Sequence, residues 1–76
     1  MTKAQLDITI GKNIQKERLA RDLSVDELAE LLGYTPSAVI LVESGKRGTS
    51  ALTLYKLSKI FGLPVDYFLG IEGGIN

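Results

Sequence analysis

Apolar residues recur along this chain at intervals of three and four positions, which is the period of a helix with one buried side. The clearest case is the run of Leu54, Leu57, Ile60 and Phe61, which stops at Gly62. No segment alternates between apolar and polar residues as a half-buried strand would. The pattern therefore predicts an all-α domain of five short helices, with approximate bounds 10–21, 25–32, 36–43, 51–61 and 65–69.

Residues that favour helix ends separate the apolar runs. Thr9 is the predicted N-cap of the first helix, and Ser24 with Glu27 forms an S-x-x-E capping box that starts the second helix at residue 25. Gly33 ends the second helix as a left-handed residue would, and Thr35 caps the third. We therefore expect two short helices joined by a tight turn between residues 25 and 43.

Ile10, Ile14 and either Glu17 or Arg18 fall on one face of the first helix, so the Arg18 guanidinium points partly toward the core. Burial of an unpaired guanidinium is costly, and the sequence should therefore supply a carboxylate partner. Glu43 is the candidate partner. On the residues alone, the alternative that both side chains are exposed charges on separate helices is favoured.

The chain has 76 residues, which allows one domain, and 45% of them are hydrophobic. It contains neither Cys nor His, so thiol nucleophiles, imidazole bases and most transition-metal sites are excluded. We expect no enzyme activity, no cofactor or metal, and no small-molecule substrate. No apolar run approaches the roughly 20 residues that span a bilayer, and the first residues are not signal-like, so we expect a cytoplasmic protein with no membrane partner.

Nine basic and nine acidic residues give a formal net charge of zero. This balance weakens a nucleic-acid interpretation, because phosphate binding requires a basic face that releases counterions. A dipolar surface would still permit nucleic-acid binding if the cations gather on one side of the domain. The cations concerned are Lys12, Lys16, Lys46, Arg47, Lys56 and Lys59. The alternative is that most of these lysines are simply solvated helix faces.

Four stretches, taken in order, resemble the lambda-repressor-like, Cro/C1 (Xre-type) family of helix-turn-helix DNA-binding domains. They are IGKNIQKER, LSVDELAELLGY, VILVESGKR and LTLYKLSKIFGLPVDYFLG. The resemblance implies a compact five-helix fold in which helices two and three form the helix-turn-helix, with Arg18 and Glu43 paired beneath it. In this interpretation residues 8–70 form the domain core, 1–7 an N-terminal arm and 71–76 a flexible tail.

The resemblance also implies a sequence-specific transcriptional regulator that reads the major groove with its third helix. The residues that it places toward base edges are Thr35, Pro36, Ser37, Ala38, Ile40 and Leu41. The residues that it places near phosphates are Ser24, Val25, Lys46 and Arg47. Double-stranded DNA is the expected partner, and a homodimer is the expected form.

The sequence departs from the family pattern, which usually has Gln at the position of Val25 and Gln, Arg, Asn or Ser at several groove positions. The side chains of Pro36, Ala38, Ile40 and Leu41 can neither donate nor accept a hydrogen bond. Such side chains can contact thymine methyl groups. They also leave an alternative open, in which Ile40 and Leu41 form a contact patch for another protein chain.

The last apolar residues of the chain form the predicted dimer contact, because they are more apolar than a free tail requires. They are Tyr67, Phe68, Ile71 and Ile75. The alternative is that Phe68 completes the core while Ile71 and Ile75 belong to a frayed end.

Overall fold

The computed structural model describes residues 1–71, and these form the predicted all-α arrangement. Its five helices are α1 (Lys3–Ala20), α2 (Val25–Leu32), α3 (Pro36–Glu43), α4 (Ala51–Phe61) and α5 (Val65–Leu69). The bounds predicted for α2 to α5 are confirmed. Residues 1–71 contain no strand. In the same part of the chain, no helix is both long enough and apolar enough to cross a bilayer.

The prediction for α1 is wrong at its start, because the helix begins at Lys3 and most of the expected arm is helical. The N-cap is Thr2 rather than Thr9. The Thr2 hydroxyl accepts the N–H of Gln5 at 3.1 Å, and the Gln5 side chain accepts the N–H of Thr2 at 2.8 Å. Lys3 then pairs with Asp7 at 2.8 Å. Leu6 also packs against the core, and its spacing of four from Ile10 is a local signal for this earlier start.

The turn that ends α1 brings a backbone carbonyl close to the Arg18 side chain. Asp22 adopts φ 59°, a left-handed conformation that glycine, asparagine and aspartate adopt more readily than other residues. The N–H of Asp22 donates to the carbonyl of Leu19 at 3.1 Å, and the N–H of Leu23 donates to that of Arg18 at 3.0 Å. This Schellman arrangement folds the chain back, so that the Leu23 carbonyl lies within reach of the Arg18 side chain.

The core lies at the centre of the five helices, and Phe68 from α5 is completely buried in it. Its ring centroid lies 6.0 Å from that of Phe61 and 5.2 Å from that of Tyr67. Burying a side chain of this size contributes about 1.5–3 kcal/mol, so Phe68 completes the core and its prediction as a dimer contact is wrong. The buried cluster comprises Ile10, Ile14, Leu28, Ala29, Leu32, Val39, Val42, Leu57, Phe61 and Phe68.

The close crossing of α1 and α3 depends on Gly11. A Cβ atom added at Gly11 would lie 2.6 Å from the carbonyl oxygen of Glu43 and even closer to that of Val42. These are backbone atoms of α3, so they could move only if the whole helix moved. Glycine at this position therefore lets α1 hold the backbone of α3 at contact distance.

Candidate nucleic-acid interface

The predicted ion pair between Arg18 and Glu43 is present beneath α3. Arg18 Nε donates to Glu43 Oε2 at 2.7 Å and Nη2 donates to Oε1 at 3.0 Å, which is a bidentate arrangement. Arg18 Nη1 donates to the Leu23 carbonyl at 2.9 Å. The two side chains are only 9% and 5% exposed. Hydrogen bonding to Glu43 raises the pKa of Arg18. The pair ties the end of α3 to α1 and so fixes the direction of α3.

The helix α3 has one buried side and one exposed side. Ala38, Val39, Val42 and Glu43 are buried. We define the α3 strip as the four exposed residues of the helix, which are Pro36, Ser37, Ile40 and Leu41. Ala38 is only 7% exposed, so its predicted position facing base edges is wrong. At 3.6 residues per turn it lies on the same side as Val42, against the core.

The α3 strip presents much apolar surface and few hydrogen-bonding groups. Ile40 is 56% exposed and Leu41 is 42% exposed. At one end, the hydroxyl oxygen of Thr35 caps the helix by accepting an N–H from its first turn at 3.1 Å. At the other end, the Ser44 hydroxyl donates to the Leu41 carbonyl at 3.0 Å. Ser37 is therefore the strip residue that brings a polar side chain to this surface.

The first helix contributes residues to the same surface that the sequence analysis did not place there. Ile8, Lys12 and Gln15 of α1 line a groove together with Val25 and Ile40. Ile8 is 43% exposed, so the apolar surface continues from α3 onto α1. The wrong start predicted for α1 hid this feature. The helical spacing of four between Ile8 and Lys12 is the signal that would have revealed it.

The start of α2, predicted to lie near a phosphate, is occupied by its own capping box. Ser24 Oγ accepts the N–H of Glu27 at 3.0 Å, and Glu27 Oε1 accepts the N–H of Ser24 at 2.8 Å. Asp26 adds a second carboxylate to this first turn. Two carboxylates offset the positive potential of a helix N-terminus, so this end does not favour a phosphate. Val25 instead supplies an apolar side chain to the groove.

Two exposed cations, Lys46 and Arg47, follow α3 directly. Gly45, with φ 77°, reverses the chain, and the N–H of Lys46 donates to the Leu41 carbonyl at 2.9 Å. This turn keeps Lys46 beside the end of the α3 strip. The guanidinium of Arg47 lies 5.1 Å from the ring centroid of Tyr34, whose hydroxyl is hydrogen-bonded to α4 at 2.7 Å. The backbone of Lys46 therefore lies beside the C-terminal end of the strip, whereas the Arg47 guanidinium is held against Tyr34, the residue before the N-cap of α3.

A second polar cluster joins the last turns of α1 to α4 and α5. The Tyr67 hydroxyl donates to Glu17 Oε2, and Arg21 Nη1 donates to Glu17 Oε1. Arg21 Nη2 donates to the Phe61 carbonyl at 2.9 Å. The hydrogen bond from Tyr67, followed by that from Arg21, lowers the pKa of Glu17, and the same contact with Glu17 raises the pKa of Tyr67.

This cluster bears on the predicted dimer contact. Tyr67 is half-buried, with its hydroxyl bound to Glu17 of its own chain. Ile71 is 46% exposed and stays a predicted contact. Ile75, and the predicted flexible tail beyond Ile71, lie outside the described residues.

The order of these elements matches a known family. The family model HTH_3, described as helix-turn-helix, matches residues 14–68, well over half of the chain. The chain belongs to the HTH_3 helix-turn-helix family. The matched segment contains α2, α3 and α4 in full, together with Arg18 and Glu43. The resemblance drawn from the four sequence stretches is thereby confirmed.

Curated relatives of this HTH_3 chain are named as transcriptional regulators. It is 32% identical over 67 residues to RghRB of Bacillus subtilis, an uncharacterized HTH-type transcriptional regulator, and this covers 87% of the chain and 48% of RghRB. It is 38% identical over 58 residues to PuuR of Escherichia coli, an HTH-type transcriptional regulator, and this covers 76% of the chain and 31% of PuuR. The chain thus spans about half the length of the first and about a third of the second.

Solved structures share the fold of the HTH_3 chain. The restriction-modification controller protein C.AhdI from Aeromonas hydrophila superposes with a TM-score of 0.74 at 29% identity, covering 82% of this chain and 94% of C.AhdI. An HTH_3 family transcriptional regulator from Vibrio cholerae gives a TM-score of 0.79 at 22% identity, covering 93% of this chain and 40% of that protein. The second match, at its lower identity, shows the fold alone.

Proposed function

We propose that this chain is the DNA-binding domain of a transcriptional regulator and that it places α3 in the major groove of double-stranded DNA. One observation carries the proposal. The α3 strip is held outward by the buried pair of Arg18 and Glu43, and the exposed cations Lys46 and Arg47 follow it directly. The similarity to RghRB and PuuR, both named as transcriptional regulators, supports the same class of function.

The proposed contacts divide by chemistry. The α3 strip faces the base edges, where Ser37 offers a hydroxyl and Ile40 and Leu41 offer apolar contact to thymine methyl groups. Lys46 and Arg47 contact phosphates, which positions the helix without reading sequence. The strip has one polar side chain, so specificity depends on methyl contacts and on the shape of the DNA more than on hydrogen bonds to bases.

The salt dependence of binding tests the phosphate contacts. If Lys46 and Arg47 neutralise two phosphates, the logarithm of affinity falls with the logarithm of salt concentration with a slope of about −2 for each domain. Titrating the protein against random-sequence duplex DNA at low and moderate salt measures this slope. Lys46→Ala and Arg47→Ala should each flatten it by about 0.9.

Lys59→Ala is the matched control, because the Lys59 ammonium lies over the Tyr55 ring on α4, 5.5 Å from its centroid. This variant should leave the slope unchanged. A parent protein that does not bind duplex DNA at low salt would overturn the proposed function. If the slope stays unchanged in both the Lys46→Ala and the Arg47→Ala variant, these two residues do not contact phosphates.

We further propose that two copies bind together, because a single α3 reads only one half-site and a module of this size buries little surface. Ile71, which is 46% exposed, is the candidate contact among the described residues. Sedimentation of the parent and of Ile71→Asp, with and without DNA, tests the assembly. A parent that sediments as one copy on a DNA duplex with two half-sites would contradict it.

A second candidate function is contact with another protein chain through Ile40 and Leu41. The observation that favours it is their exposure of 56% and 42%, since adjacent exposed apolar residues commonly mark an interface. Self-association that Leu41→Asp abolishes, in a protein without affinity for duplex DNA, would establish this function in place of DNA binding.

A further inference from the structure

The surface around the α3 strip is apolar over more than one helix. Ile40 and Leu41 expose about half of their surface, and the exposed Ile8 of α1 and the partly exposed Val25 of α2 continue this surface across the groove. Large apolar side chains kept in water forgo the stabilisation that burial would give. This surface therefore gains most from a partner that presents apolar groups to it.

The charges around this surface complement DNA. Glu43 lines the groove, but its charge is paired with that of Arg18. At the start of α2, Glu27 is hydrogen-bonded to the backbone, whereas Asp26 is an exposed carboxylate beside Val25. Lys12 lines the groove, and Lys46 lies beyond the end of the strip. An apolar centre with cations at its edges fits a major groove, in which methyl groups lie on the floor and phosphates lie along the sides.

Unmodified DNA offers one apolar group in the major groove, the C5-methyl group of thymine. 5-Methylcytosine carries the same methyl group on the same ring carbon. The two bases differ at position 4, where thymine has an accepting oxygen and cytosine has a donating amino group. Distinguishing them requires a polar side chain, which Ile40 and Leu41 lack and which the α3 strip offers only at Ser37. A carboxylate, which would accept from the cytosine amino group, does not extend from the exposed side of α3.

We infer that this chain recognises the C5-methyl group of pyrimidines itself, and that it accepts 5-methylcytosine in place of thymine. Cytosine methylation at a contacted position would therefore strengthen the binding of this chain to DNA. This inference rests on the proposed function, and it names the chemical group that the α3 strip reads.

The test uses a duplex selected by the protein from a random-sequence library. At each thymine position of the selected site, four duplexes are compared: thymine or deoxyuridine opposite adenine, and cytosine or 5-methylcytosine opposite guanine. Burying one methyl group is expected to change the affinity about fourfold. Thymine to deoxyuridine should weaken binding by this factor at contacted positions. Cytosine to 5-methylcytosine should strengthen it by the same factor, and thymine and 5-methylcytosine should bind within about twofold of each other.

Alanine substitutions in the α3 strip test whether its side chains make these methyl contacts. Ile40→Ala and Leu41→Ala should each reduce the difference between thymine and deoxyuridine at one position. Their thermal melts should stay close to that of the parent, because both side chains are exposed. Leu52→Ala is the control, since Leu52 on α4 is 61% exposed and belongs neither to the α3 strip nor to the residues that line the groove. This variant should leave unchanged the affinity ratio between thymine and deoxyuridine, and that between 5-methylcytosine and cytosine, at every position.

The outcomes separate the inference from the proposed function. Tight binding of the selected duplex with no loss on deoxyuridine substitution would overturn the inference and leave the function standing. A loss with deoxyuridine but no gain with 5-methylcytosine would also overturn it, and would show that position 4 is read, for which Ser37 is the available hydroxyl. Failure to bind any duplex would overturn the proposed function and the inference together.

Discussion

Replacing Glu43 with alanine is expected to destabilise the domain severely. The change removes two hydrogen bonds of 2.7 and 3.0 Å from Arg18, whose side chain is 9% exposed, and leaves it only the Leu23 carbonyl as an acceptor. Removing one partner of a buried ion pair costs about 3–5 kcal/mol, because the remaining charge stays desolvated. With 76 residues the total free energy of unfolding is about 4–11 kcal/mol, so the loss is a large share of it.

Thermal unfolding followed by circular dichroism measures the effect, and urea unfolding gives the free energy directly. At about 4–8 °C for each kcal/mol in a domain of this size, the melting temperature should fall by about 12–40 °C. A Glu43→Ala protein that unfolds within about 1 kcal/mol of the parent would refute the reasoning, because it would mean that the pair contributes no more than an exposed one.

Two further variants isolate the cause. Lys3→Ala removes an exposed pair, in which the Lys3 side chain is 82% exposed, and it should cost no more than about 1 kcal/mol. The double variant Arg18→Met with Glu43→Leu removes both charges and keeps apolar volume in their place. It should recover most of the stability that Glu43→Ala loses, because no buried charge is left without a partner.

Two other predictions concern the packing of α1. Gly11→Ala should lower the free energy of unfolding by about 1–3 kcal/mol, because the added Cβ overlaps the carbonyl oxygen of Val42. Urea unfolding measures this, and Gly48→Ala is the control, because its Cβ would meet only the side chains of Asp7 and Lys3, at 3.3 Å, and side chains can move more easily than the backbone of α3. Tyr67→Phe should weaken the dependence of stability on acid. The Tyr67 hydroxyl lowers the pKa of Glu17 in the folded state. The stability that this hydrogen bond contributes is therefore present above the ordinary glutamate pKa, and it is lost as the pH falls through the lowered pKa of Glu17. The pKa of Tyr67 is raised in the folded state, so stability is also lost at high pH, as the pH rises through that raised pKa. The Tyr67→Phe variant has no hydroxyl to ionise and should not lose stability in this way. Identical profiles of unfolding free energy against pH for parent and variant would contradict this.

Much of the helical framework could be predicted because its signals are local. The capping box of Ser24 and Glu27 and the cap at Thr35 are read within four residues of one another along the chain. Gly33 and Gly62, with φ 73° and 68°, end their helices as expected, because glycine adopts this conformation without strain. The start predicted for α1 is wrong although its signals are also local, namely the capping box of Thr2 and Gln5 and the spacing of four between Leu6 and Ile10.

The candidate interface was harder to predict, because a residue's exposure depends on elements that are distant in sequence. Ala38 is buried since α3 packs against the core on that side, although its position near the start of α3 favoured a base-facing role. Ile8 and Val25 join Ile40 along one groove only because three different helices converge there. The periodicity of one helix does not contain this information.

The sequence by itself determined the helix-turn-helix frame, the family and the unusual apolar residues of α3, because these follow from caps, helical period and residue type. Only the tertiary structure decided which of those residues face outward, that Phe68 belongs to the core and that Arg18 meets Glu43, 25 residues away, in a buried bidentate pair. The physical reason is that burial and pairing are set by contacts between helices, which depend on how the whole chain packs.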